Sequence, residues 1–132
     1  NPNIKEELAG LYFELALVNE KQQDIKKYFL KTAYTYLKQM QTGTTLSLKN
    51  LELLINILLE FKFYKKALQT IKNLDITNNP HLLLLLAKVE FKNKHYAKVH
   101  EAMRALNEFK DSLDEETIKF ITYWTGENGE KA

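Results

Sequence analysis

Two segments decide the reading: Phe63-Tyr64-Lys65-Lys66-Ala67 and His95-Tyr96-Ala97-Lys98-Val99. Laid over one another, they match Tyr64 with Tyr96 and Ala67 with Val99, and the match continues to Ile71 with Met103 and Leu74 with Leu106. The offset is 32 residues (96 − 64). Matched apolar positions three and four apart lie on one face of a helix. Upstream in the same frame, Leu51, Leu54 and Leu58 fall against Leu83, Leu86 and Glu90. A pair of helices is therefore written twice at a fixed period.

Working outward, apolar residues recur at helical spacing almost throughout, with no sustained strand-type alternation. Seven helices are predicted. The first covers 4–19, with Asn1 or Asn3 as cap and an apolar face of Leu8, Leu11, Tyr12, Leu15 and Val18. The second covers 24–41, burying Ile25, Tyr28, Phe29, Ala33, Tyr36, Leu37 and Met40, and stops at Gly43 in a left-handed turn. The third runs from its cap Ser47 to 61, the fourth over 64–74, the fifth over 80–92 and the sixth over 95–109. The last starts at Ser112, which forms a capping box with Glu115, and ends before Gly126. All connections are short, so successive helices pack antiparallel.

The pattern resembles the tetratricopeptide repeat family. Leu86-Ala87 gives its leucine-small pair, Tyr64-Ala67-Ile71 its second-helix triplet, and Pro80 its closing proline, one residue late. A repeat of that family is about 34 residues long. Tyr12, Leu15 and Ala16 fit the first helix of an earlier repeat, whereas Ile25, Tyr28 and Thr32 fit its second helix poorly. That repeat is offset by 39 residues (64 − 25), with the extra residues placed around 38–45. Ile55 stands where a small residue is expected. The resemblance covers about 8–110 and implies an all-α fold: three antiparallel helical hairpins (4–41, 47–74, 80–109) stacked as a short right-handed superhelix. A capping helix, 112–125, closes the stack with Ile118, Ile121 and Trp124 against the last hairpin, and 126–132 is a tail.

The chain's 132 residues suit one domain, and 45% hydrophobic with 27% charged residues places it among folded proteins rather than disordered ones. Net charge is +2 and Arg104 is the only arginine, which argues against nucleic-acid recognition. No cysteine is present, which removes disulfides, thiolate metal sites and a cysteine nucleophile, and fits cytoplasm and cell envelope equally. The longest apolar run, Leu82 to Ala87, is far short of the ~20 residues of a membrane-spanning helix. The chain opens Asn1-Pro2-Asn3 without methionine, as a fragment or processed product would.

Chemistry has few candidates. Of the three histidines, His95 and His100 are five apart, and no metal-binding spacing exists among them and His81. Glu6-Glu7 and Asp114-Glu115-Glu116 lie in predicted first helical turns, where the helix dipole favours carboxylates. No glycine-rich phosphate loop or nucleophile elbow occurs. Neither an enzyme nor a cofactor is expected.

The expected function is a protein-protein interaction module, a scaffold or adaptor that holds a partner protein or peptide in a concave apolar groove with a basic end. By the resemblance, the groove-facing residues are Phe13, Leu17, Asn56, Leu59, His81, Leu84, Lys88 and Phe91. Only Asn56 and Lys88 hint at the carboxylate clamp of some family members, and that function is not carried over. The five leucines Leu82 to Leu86 fit a central helix packed on both sides, or one that lends Leu84 to the groove. The later lysines, Lys62, Lys65, Lys66, Lys88, Lys92, Lys94 and Lys98, are solvated helix faces or the contact for an acidic protein partner. A peptide-sensing regulatory domain and a self-association domain remain as alternatives.

Overall fold

A computed structural model describes residues 2–43, 46–76 and 78–125. Among them the fold is all-helical, with seven α-helices, one 3-10 turn and no strand. The chain divides into two compact units, Asn1–Phe61 and Lys62–Ala132.

The first unit holds α1 (Pro2–Val18), α2 (Gln23–Gly43) and α3 (Leu48–Glu60). α1 and α2 pack along their length, and α3 lies against both. Alanines set the closeness: Ala9 and Ala16 of α1 and Ala33 of α2 are fully buried. Small side chains let two helix backbones approach, and larger neighbours then fill the flanks. Tyr12 does so, stacking on Tyr36 at 5.9 Å and leaning on Phe29 at 5.8 Å.

This overturns part of the expected α1 face: Tyr12 packs and Leu8 is half-buried, but its other three members lie outside. Leu11, Leu15 and Val18 are 55%, 41% and 78% exposed, because the alanine-lined opposite side is the one that packs. On α2 the buried set is Leu30, Ala33, Leu37 and Met40, while Ile25 and Tyr28 lie outside. Lys26 takes the inward place beside them, its ammonium 2.7 Å from Glu60 and 3.4 Å from Glu20. A lysine can bury its aliphatic stem when its charge is paired.

Capping was partly legible. Ser47 accepts the N–H of Asn50 at the start of α3, as expected. α2 continues through Gly43, and no described glycine has a positive φ, so the left-handed stop expected there is not formed. Asn1 lies outside the described residues, as does the tail 126–132.

The second unit holds α4 (Tyr64–Lys72), α5 (Pro80–Lys92), α6 (Tyr96–Asn107), the 3-10 turn Lys110–Ser112 and α7 (Glu115–Thr125). α5 packs on α4 and α6, and α6 on α7. Leu83 and Ala87 of α5 share a core with Val99, Ala102, Met103 and Leu106 of α6 and Ile121 and Trp124 of α7. Ile121 and Trp124 of the last helix thus join the core of the α5–α6 hairpin as expected, while Ile118 is half-buried and not part of it. Burial of one such large side chain contributes ~1.5–3 kcal/mol.

The 32-residue repeat reappears in the backbone. Phe61, Lys62 and Phe63 end α3 with φ/ψ of −78°/−4°, φ of 66°, and −88°/65°. Asn93, Lys94 and His95 end α5 with −86°/2°, φ of 63°, and −91°/70°. Two of the aligned pairs also share burial: Ala67 with Val99, and Ile71 with Met103, are all at most 1% exposed.

The start of α7 differs from expectation. Ser112 Oγ donates to the Phe109 carbonyl, and Asp114 Oδ1 accepts the Thr117 N–H at 2.8 Å. The 3-10 turn uses up Ser112, so Asp114 caps the helix and no Ser112–Glu115 box forms. Glu115 and Glu116 do lie in the first turn of α7. Glu6 and Glu7 do not lie in the first turn of α1, because that helix already begins at Pro2.

Candidate interaction surfaces

Of the eight residues expected in one groove, four belong to the first unit and four to the second. Four share one face of α5, whose spacing 81, 84, 88, 91 follows the helical repeat. His81, Leu84, Lys88 and Phe91 are all exposed, Leu84 at 37% and Phe91 at 47%. The remaining leucines of the run mostly turn inward: Leu82, Leu83 and Leu85 are buried and Leu86 is half-buried. α5 is thus packed over most of its circumference, and Leu84 is the one exposed leucine of the five.

Phe13 and Asn56 line a groove of about 550 Å³ between α1 and α3 in the first unit. Its rim is acidic: Glu6, Glu7, Glu14 and Glu52 face a single lysine, Lys49. Asn50, almost fully buried there, donates from Nδ2 to Glu6 Oε1 at 2.6 Å and holds that carboxylate in place. Asn56 donates to the Glu52 carbonyl of its own helix. Leu11, Phe13 and Leu53 give this groove apolar lining, while its charged residues are mainly acidic. Leu17 is exposed but outside the groove lining, and Leu59 is 5% exposed, a core residue with little to offer a partner. The correction for Leu59 has a simple cause: α3 buries Leu54, Ile55, Ile57, Leu58 and Leu59, far more of its surface than one stripe.

Around Phe91 the structure assembles a cluster that sequence reasoning missed. Phe91 meets Tyr96 edge to face at 5.8 Å and Trp124 at 6.3 Å. Trp124 in turn meets Phe120 at 6.3 Å and Tyr123 at 5.8 Å. Trp124 is buried, whereas Tyr96, Phe120 and Tyr123 are 40%, 47% and 53% exposed. The signal lay in the run Phe120-Ile121-Thr122-Tyr123-Trp124, where Phe120, Tyr123 and Trp124 stand at i, i+3 and i+4 and so share one helix face. Tyr96 stands out in the sequence only as the repeat match of Tyr64.

His81 is exposed, and His95 makes a local contact. His95 Nδ1 lies 2.8 Å from Oε1 of Glu90, a carboxylate buried where the preceding repeat has Leu58. Among the described residues no three His, Cys, Asp or Glu side chains gather as a metal site would require. No described helix is long and apolar enough to cross a membrane.

The family model described as "Meiosis protein SPO22/ZIP4 like" matches residues 1–127. The chain belongs to this family. No curated protein and no solved structure matches it. The SPO22/ZIP4-like match spans both units and all seven helices, so neither unit is an appendage to it.

Proposed function

We propose that this chain is a helical protein-interaction module of a meiosis protein, its hairpins related in the manner of tetratricopeptide repeats. The observation that carries this reading is the exposed stripe of α5, where Leu84 and Phe91 stand on the outside of a helix whose other apolar residues are mostly buried. Exposed apolar side chains grouped on one face, rather than scattered, mark interaction surfaces. The SPO22/ZIP4-like family assignment gives the process in which such a partner is to be sought. The repeated turn at Lys62 and Lys94 supports the kinship with helical-repeat scaffolds.

The test is affinity capture from meiotic cells with the wild-type chain and with Lys88→Glu combined with Phe91→Ala. The double variant is expected to lose a partner that the wild type retains, with its helical circular-dichroism signal intact. Equal retention by both would remove the α5 face from the reading.

Self-association is a second reading, favoured by the stripe of Ile4, Leu11, Leu15 and Val18 along α1, all exposed. Mass measured against concentration tests it, and Leu11→Lys with Leu15→Lys should then restore a monomer. A concentration-independent monomer mass for the wild type removes it.

A further inference from the structure

We propose that the aromatic cluster at the α5–α6–α7 surface docks an acidic protein segment carrying an aromatic or branched apolar side chain. This rests on the interaction reading above and names the chemistry of the partner. The apolar half of the argument is Phe91, Tyr96, Phe120 and Tyr123, four exposed rings grouped around the buried ring of Trp124. Rings already held edge to face against one another lose little freedom on binding, so a side chain inserted among them gains contact area at small entropic cost.

The charged half is the lysine edge. Lys88 lies one turn before Lys92 on α5, and Lys94 follows in the turn between Phe91 and Tyr96. All three are exposed, and none forms an ion pair among the described residues. Three acidic side chains of this unit have partners of their own: Glu90 is buried against His95, Glu101 pairs with Lys98, and Glu116 pairs with Lys119. α6 begins at Tyr96 with no side chain capping its N-terminus, so the positive end of its dipole adds to the same field. A second copy paired through this same patch by a two-fold would bring two lysine-bearing edges into one interface, which disfavours it. An acidic segment meets both halves at once.

The chain's one tryptophan is Trp124, so its fluorescence reports on this surface. Three short synthetic peptides serve as probes: an Asp/Glu-rich one with Phe and Leu, its counterpart with Lys for every acid, and its counterpart with Ser for Phe and Leu. Only the first is expected to shift the emission, with affinity falling as salt rises. Lys88→Glu with Lys92→Glu should weaken it about tenfold, and Lys21→Glu in the first unit should not. Binding of the Lys peptide as tight as that of the acidic one, or no shift with the acidic peptide at millimolar concentration, overturns the proposal.

A photo-crosslinking residue at Phe91 of the whole protein in meiotic cells separates this proposal from the reading beneath it. Crosslinks to an acidic segment support both. Crosslinks only to segments without net negative charge overturn the acidic partner and leave the interaction module standing. No crosslink from Phe91, and none from a second probe at Leu11, removes both.

Discussion

Lys62 and Lys94, 32 residues apart (94 − 62), hold the same left-handed backbone conformation, with φ of 66° and 63°. Each stands one residue past the C-cap of its helix, the position at which glycine usually ends a helix. A side chain in this conformation costs roughly 1–2 kcal/mol. The repeat thus places the same strained residue twice.

Lys94→Gly should therefore stabilise the chain. Relief of the left-handed strain exceeds the ~0.4–1 kcal/mol of added freedom that glycine brings to the unfolded state. The expected net gain is about 0.5–1 kcal/mol, read as a raised urea midpoint, and Lys62→Gly should give a similar gain. Lys94→Val should move the midpoint down, since β-branching is least compatible with this φ.

Asn93 ties α5 to the start of α4. Its Nδ2 donates to the Tyr64 carbonyl at 3.0 Å and to the Val89 carbonyl at 2.9 Å. Asn93→Asp keeps the shape, removes both donors and sets a carboxylate against two carbonyl oxygens. The expected loss is ~2 kcal/mol at neutral pH, measured by urea denaturation and eased in acid, where a protonated carboxyl can donate once. An unchanged midpoint would show that Asn93 contributes nothing beyond its volume.

How far the sequence could be read is clear from α5 and α1. α5 was legible to the residue, Pro80 to Lys92, because Asn79 and Pro80 mark its start and Asn93-Lys94 its stop. α1 was found as a helix, but part of its apolar face was turned the wrong way. Hydrophobic periodicity pointed at Leu11, Leu15 and Val18, while packing selected the face where Ala9 and Ala16 admit α2. A rule that weighs apolar size cannot see a contact made by smallness. The candidate site shows the same split: Leu84, Lys88 and Phe91 were implied by the family resemblance, whereas their aromatic neighbours on α7 depend on a tertiary contact between helices far apart in sequence.

Asp114 is the cap of α7, and its hydrogen bonds to Thr117 hold its carboxyl below the usual carboxylate range. A depressed pKa gives stability that is present above the unfolded value, about 3.9, and is lost as pH falls through the folded one. Asp114→Ala should loosen α7 at neutral pH, seen as a changed Trp124 emission, and should remove that part of the acid dependence. Ser112→Ala should do neither, because Ser112 bonds only back to Phe109. The reverse pattern would restore the capping box and displace Asp114.

Lys26 titrates with the opposite sign. Its hydrogen bond to Glu60 is the chief influence on its pKa and outweighs the effect of burial, so with further help from Glu20 its pKa is raised. Stability from a raised pKa is full below the unfolded value, about 10.4, and is lost as pH rises through the folded one. Lys26→Met leaves Glu60 unpaired beside apolar surface and should cost about 1–3 kcal/mol at pH 7. Adding Glu60→Leu should recover most of that loss, since an apolar pair of similar volume replaces a buried ion pair at little cost. The wild type should lose more stability than Lys26→Met between pH 7 and 11, which cancels the lysines and tyrosines common to both. Parallel pH profiles for the two would mean that the ammonium is held by solvent, and that only the aliphatic stem of Lys26 contributes to α2.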